Sequence, residues 1–364
     1  MLIFVILLAC VVKSYKGNVI EINTSYQALV SDAFYFGSNC QGIAITFSIN
    51  DADIFVADGK CDVKSQCPKY CNIQAFCNEF CNPLCCLSLA EVNKRCDYSN
   101  YSSYDRNSTS FSMTSEYIQS NGLAGILVKD DIHFLTTNNS YVSFYGKSFY
   151  LQVKWLLDNY VVFGSSNKIG LGLSRKRSNF LQDLYAAKQI ARSVATISWH
   201  KDTIFPSIIF GDYNDKYCTG GWKYLTPVDE TTWMFDANQF EFVTIRRSYS
   251  YRLMFSEFTP IRIPVKHVQQ LLYESKLHFL AKGLYVVEDK GAYNYTWSLK
   301  STTISVKPIG SKTDSILVQP LQPNPDNLQF ILGFDLFYKY CLALDYGRKQ
   351  MALADCEIGL DNDI

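Results

Sequence analysis

The chain lacks an excess of either charge. Over 364 residues, 34 Lys and Arg stand against 34 Asp and Glu, so no net field draws it to nucleic acid or to an anionic membrane. Beyond its first residues it has no apolar run near the roughly 20 residues that a membrane helix needs. Histidine is scarce, at four residues, and no Gly-x-Ser-x-Gly elbow accompanies it, so a Ser-His-Asp site finds no support. His133, His200, His267 and His278 read as surface or satisfied core residues. Neither a phosphate-cradling glycine loop nor a dinucleotide fingerprint occurs, and no cofactor is expected. Repeats and low-complexity tracts are absent, and prolines gather only in the loop Pro320 to Pro325. What is present is apolar and aromatic: 48% apolar residues, with 25 Tyr and 24 Phe. That composition excludes a disordered chain and leans toward strand. The length suits one large domain or two of medium size.

Leu2 to Val12 form an apolar run too short to span a bilayer, followed by small and polar residues. It reads as a secretory signal peptide over residues 1–14, though the basic n-region is missing. A buried N-terminal strand is the alternative. Cys10 falls within it and leaves twelve cysteines, an even number. Eight of them crowd one stretch: Cys61, Cys67, Cys71, Cys77, Cys81, Cys85, Cys86 and Cys96. The other four are Cys40, Cys218, Cys341 and Cys356. Five Asn-x-Ser/Thr sequons begin at Asn23, Asn100, Asn107, Asn138 and Asn294. Signal, paired cysteines and sequons together indicate a glycosylated protein that is secreted, extracellular or luminal, where disulfides persist.

The spacings at Cys67/Cys71 and Cys77/Cys81/Cys85 also suit zinc knuckles. Eight thiols without a histidine among them, in an oxidising compartment, favour disulfides, and no metal is expected. Eight cysteines admit about a hundred pairings, and sequence does not choose among them. Few large apolar residues accompany them, so 61–96 reads as a small insertion stapled by its bridges. The basic runs Arg175-Lys176-Arg177 and Arg246-Arg247 read as solvated loops.

Short β-type runs recur between turn signals, among them Gly42 to Phe47, Tyr141 to Tyr145, Ser207 to Phe210, Phe240 to Ile245 and Thr303 to Val306. Two stretches have helical spacing instead. Asn179 can cap a helix with Phe180, Leu181, Leu184 and Ile190 on one face. Pro264 can open another, with Val265, Val268, Leu271 and Leu272 as its apolar stripe. The coarse reading is mostly β with a few short helices.

Residues 331–354, ILGFDLFYKYCLALDYGRKQMALA, supply the most specific stretch. With Ile331, Leu332, Gly333, Asp345, Gly347, Leu353 and Ala354, it resembles the closing strand-turn-strand of pepsin-like aspartic peptidases. Other segments follow in that family's order. Tyr117 with Gly125-Ile126-Leu127 resembles the flap and its return strand. Lys168-Ile169-Gly170-Leu171-Gly172 resembles the hydrophobic-Gly loop behind the first catalytic site. Gly211, Thr219-Gly220, Pro227-Val228 and Trp233 resemble the opening of the second lobe. The resemblance spans about residues 26 to 356 and implies an all-β, bilobal fold with two β-barrel-like lobes and a deep cleft between them. The N-terminal lobe is then 15–192, with the cysteine-rich insertion 61–96, and the C-terminal lobe is 193–364.

The family's chemistry comes from two Asp-Thr/Ser-Gly loops, one per lobe. Two carboxylates about 3 Å apart cannot both ionise, so they share a proton and hold a water between them. One takes the water's proton while the other protonates the substrate carbonyl. Aligned on ITFSINDADIFVADGKC, the first triplet is Ser48, Ile49 and Asn50. Aligned on RLMFSEFTPIRIP, the second is Ser256, Glu257 and Phe258, followed by Thr259. Serine stands at both catalytic positions, and no Asp-Thr-Gly or Asp-Ser-Gly triplet occurs anywhere. A serine hydroxyl does not ionise or share a proton at acid pH. Asp51, Asp53 and Glu257 lie near in sequence, but alternation along an extended segment turns Glu257 away from Ser256's face. The family's basic prosegment has little room between residue 14 and Tyr26, where the first strand would begin.

The expectation is an inactive, secreted homologue that binds a peptide or protein in its cleft, with Tyr117 as flap residue and Ser48 and Ser256 on the floor. The alternatives are an active acid endopeptidase with a divergent catalytic pair, and an interaction protein acting through the cysteine-rich insertion.

Overall fold

Aromatic and β-branched residues recurring in short runs favour pleated, half-buried structure, and the described residues are 53% strand and 11% helix, in several sheets with no closed barrel among them. The computed structural model describes residues 19–24, 29–59, 69–73, 75–77, 81, 83–86, 88, 90, 103–120, 123–153, 167–175, 177–198, 206–257, 259–281, 283–288, 293–305, 315–323, 328–333, 336–337 and 339–356. The signal reading over 1–14 falls outside them. None of the described helices is long and apolar enough to cross a membrane.

The chain divides into two compact units. One comprises Met1–Lys16, Val30–Thr46 and Asp53–Ile169, and the other Gly17–Leu29, Phe47–Ala52 and Gly170–Ile364. The first is built on a nine-stranded sheet. Its order is Val30–Ser31, Ile45–Ser48, Lys168–Gly170, Ile54–Ala57, Tyr141–Val153, Leu123–Leu135, Phe34–Phe36 and Gln41–Gly42, with Ser112–Ser120 also paired to Leu123–Leu135. Its spine is the hairpin running from Ala124 opposite Val153 to Leu135 opposite Tyr141. Asn139 sits in the hairpin turn at φ 60°, a left-handed conformation that asparagine tolerates better than most residues. Phe36, Tyr104 and Phe149 meet edge-on in the core. The Tyr104 hydroxyl donates to buried Asp130, which also accepts from Ser108 and Ser110. Buried Asn167 bonds the Ala44 carbonyl and the Ala57 N–H, pinning two stretches of the sheet together.

The second unit holds two sheets. A six-stranded one runs Ile20–Asn23, Ser207–Phe210, Val194–Ser198, Tyr340–Asp345, Gln350–Cys356 and Cys218–Leu225. A nine-stranded one runs His278–Ala281, Leu284–Glu288, Ser315–Leu321, Ile261–Pro264, Leu328–Leu332, Ile245–Phe255, Met234–Val243, Asn294–Leu299 and Thr303–Ser305. Tyr340–Asp345 is buried at all six positions, as befits a strand covered on both faces.

Both expected helices form. Phe180–Ala186 starts at Asn179, whose side chain accepts from the Gln182 N–H while Gln182 returns a bond, a full capping box. It ends before Ile190, which is buried beyond it. Val265–Tyr273 follows Pro264 and buries His267, Val268 and Leu271, whereas Leu272 is exposed. Among the strand readings, Phe240 to Ile245 is corrected: the chain turns at Thr244, with Val243 at φ 59°, and the two halves belong to a hairpin. Gly42 to Phe47 likewise splits, into Gln41–Gly42 and Ile45–Ser48.

Candidate functional site: two paired loops

The same construction occurs twice. Lys168–Gly170 lies between Ile45–Ser48 and Ile54–Ala57, and Leu328–Leu332 lies between Ile245–Phe255 and Ile261–Pro264. Each inserted strand leads to a glycine set under the loop that joins its two neighbours. Gly172 donates to the Asp51 carbonyl at 2.6 Å, and Leu171 donates to that of Ser48 at 2.6 Å. A Cβ on Gly172 would come within 2.8 Å of the Asn50 carbonyl oxygen. A Cβ on Gly333 would overlap the Thr259 carbonyl and Pro260. Both glycines are therefore required by close backbone approach.

These two loops meet. Ser48 ends its strand and is 2% exposed; Ser256 follows Phe255 and is 7% exposed. The Asn50 side chain donates to the Phe255 carbonyl at 2.8 Å, strapping the first loop to the second. The Asp51 N–H points at the Ser48 hydroxyl at 3.3 Å. The Ser256 N–H donates to the Leu332 carbonyl at 2.8 Å, which fixes the second loop against its inserted strand.

Glu257 lies just past the end of its strand at Phe255, and its carboxylate accepts from the Ser48 hydroxyl. It is 2% exposed, and its Oε2 has no hydrogen-bond partner among the described residues. Burial pushes its pKa up to about 7. Its own N–H, the Ser48 hydroxyl and the Ile49 N–H oppose that rise, while Asp51 adds to it. At acid pH this carboxyl is therefore a neutral, enclosed group.

Trp233, fully buried, donates its indole N–H to the Leu171 carbonyl at 3.0 Å, and the Tyr346 hydroxyl donates to the same oxygen. The Asn179 side chain donates to the Gly172 carbonyl at 2.9 Å. The strand that supports the first loop is thus held by an aromatic pair and a helix cap. A separate cavity of about 700 Å³ lies near Tyr346, lined by Arg175, Thr226, Glu230 and Lys349, and none of Ser48, Asp51, Ser256 or Glu257 borders it.

The other sequence candidates are distributed as follows. Tyr117 lies in the strand Ser112–Ser120 with its Cα opposite Ile126; its side chain lies outside the described part. Cys71 bonds Cys81, Cys77 bonds Cys86, and Cys218 bonds Cys341. Cys40 and Cys85 are also disulfide-bonded. The Cys356 sulfur lies 3.5 Å from that of Cys341. Cys61, Cys67 and Cys96 fall outside the described residues, as does Asn100. Asn23, Asn107 and Asn138 are exposed, and Asn294 begins a strand opposite Val243. In the cysteine-rich stretch the sulfurs of Cys71, Cys77 and Cys85 form the small core, while Tyr70, Ile73 and Phe76 are exposed.

Neither the known protein families nor the curated proteins contain a match to this chain.

Proposed function

We propose that the chain is a secreted, pepsin-like aspartic peptidase homologue that binds an extended peptide or protein segment over its paired loops without cutting it. The observation that carries this reading is the chemistry of those loops. The two positions that the resemblance makes catalytic carry hydroxyls, Ser48 and Ser256. The nearest buried carboxyl, Glu257, is engaged by Ser48 and closed off from solvent. A carboxyl in that position has no route to a water poised on a substrate carbonyl, and general acid-base help worth about 10²–10⁴ in rate is lost with it. Binding needs none of this, because main-chain hydrogen bonds hold an extended segment by its backbone. The repeated strand-glycine-loop construction supports the resemblance on which the reading rests. The disulfides and the exposed Asn107 and Asn138 support an oxidising, glycosylating route.

A second reading has its own observation. Where disulfides form the core, large apolar side chains are free to face outward, and Tyr70, Ile73 and Phe76 do so. In that reading the insertion is the interaction surface. One experiment separates the two: retention of the protein, and of its Ile73→Asp variant, on an immobilised denatured protein at acid pH, with the column substrate analysed for cuts. Equal retention of both with intact substrate supports binding over the loops. Loss of retention in Ile73→Asp transfers the function to the insertion, and cleaved substrate overturns the non-cutting reading.

A further inference from the structure

Among the described residues, His278–Ala281 is the outermost strand of its nine-stranded sheet, paired on one side to Leu284–Glu288. An outermost strand presents a row of backbone N–H and C=O groups to whatever lies beside it. All four of its residues are exposed, Phe279 at 68% and Leu280 at 57%. A bulge between Phe279 and Ala281 breaks the alternation, so neither apolar side chain is turned into the core. Just upstream, Leu272 is exposed and Tyr273 is 91% exposed. Four of the eleven exposed large apolar residues among the described residues thus fall within 272–280. Leu272 and Tyr273 end the helix Val265–Tyr273, whereas Phe279 and Leu280 stand next to each other on the strand itself, where they mark an interaction surface.

Charge selects the occupant. After Glu274, the described residues up to Ala281 hold Lys276 and His278 and no acid. A second copy would add the same basic side chains to the same edge, and like charges across a strand pair are destabilising. We propose that this edge accepts, as an added strand, an extended segment of a partner protein that is apolar at its centre and acidic at the end that meets Lys276 and His278. The backbone edge supplies the main-chain bonds, Phe279 and Leu280 supply apolar contact, and Lys276 and His278 set the partner's charge. The site is separate from the paired loops and does not depend on what they bind.

The test uses the full chain and a labelled heptapeptide, Asp-Glu-Val-Ile-Val-Glu-Asp, beside its counterpart with lysine at every acidic position. Fluorescence anisotropy reads affinity, and hydrogen exchange reads the amides of 278–281. The acidic peptide is expected to bind and to slow exchange at 278–281. Phe279→Lys, at an exposed position that spares the core, should weaken binding about tenfold, and the lysine peptide should bind about tenfold more weakly. Equal binding of the two peptides, no binding of either, or protection confined to other segments overturns the proposal. A dimer of the chain that dissociates in Phe279→Lys also overturns it, by making a second copy the occupant.

Discussion

Replacing Glu257 by glutamine tests the junction of the two loops directly. In the folded protein the carboxyl has its pKa pushed up to about 7 from an ordinary 4.5, mainly by burial. A group whose folded pKa lies above its unfolded one stabilises the fold fully below the unfolded value. That contribution disappears as pH rises through the folded value. Glu257 therefore favours folding below pH 4.5, and above pH 7 the protein keeps a buried carboxylate beside Asp51. A shift of this size corresponds to about 3 kcal/mol between the two limits. Glutamine preserves the shape and the acceptor for Ser48 but does not titrate. Glu257→Gln should match the wild type near pH 4.5 and exceed it by up to about 3 kcal/mol at pH 8.5, roughly 5–10 °C in Tm for a unit of this size. Thermal unfolding followed by tryptophan fluorescence across that range reads the difference. A gap that is constant with pH, or one that narrows as pH rises, would refute the reasoning.

His267 should act in the opposite sense. Burial, then Lys266 and Arg247, lower its pKa to about 4 from 6.5, so its stabilising contribution is present above pH 6.5 and is lost as pH falls toward 4. His267→Leu should lose less stability than the wild type between pH 6.5 and 4 in the same unfolding experiment; identical pH profiles would remove His267 from the acid response. Gly333→Ala should cost about 3 kcal/mol or more in denaturant unfolding, because its Cβ would overlap the Thr259 carbonyl and Pro260. A loss under about 0.5 kcal/mol would mean that the loop relaxes freely around it.

Local signals carried much of the fold into the sequence. The Asn179 helix was legible because a cap, a glutamine three residues on and an apolar stripe all agree. Ser207–Phe210 was legible as an apolar run of strand length. Phe240 to Ile245 misled because its turn falls on Val243 and Thr244, β-branched residues that carry no turn signal. Disulfide pairing was closed to sequence reading: Cys71–Cys81 and Cys77–Cys86 interleave within a few residues, and spacing alone allows the other pairings.

At the candidate site, the positions of Ser48 and Ser256 came from matching whole segments, and Gly172 and Gly333 came with them. The bond between Glu257 and the Ser48 hydroxyl joins residues remote in sequence, so no local pattern announces it. The Asn50 bond to the Phe255 carbonyl is long-range in the same way. Contacts of this kind leave no periodicity to read.

The central claim is that paired loops with hydroxyls at Ser48 and Ser256 bind without cutting. Its most direct test is cleavage of a denatured protein at acid pH by purified wild type and Glu257→Gln, each with and without a transition-state inhibitor of aspartic peptidases. Neither protein is expected to show inhibitor-sensitive cleavage. Cleavage by the wild type that the inhibitor blocks and that Glu257→Gln abolishes would contradict the claim, and would make Glu257 half of a working acid pair.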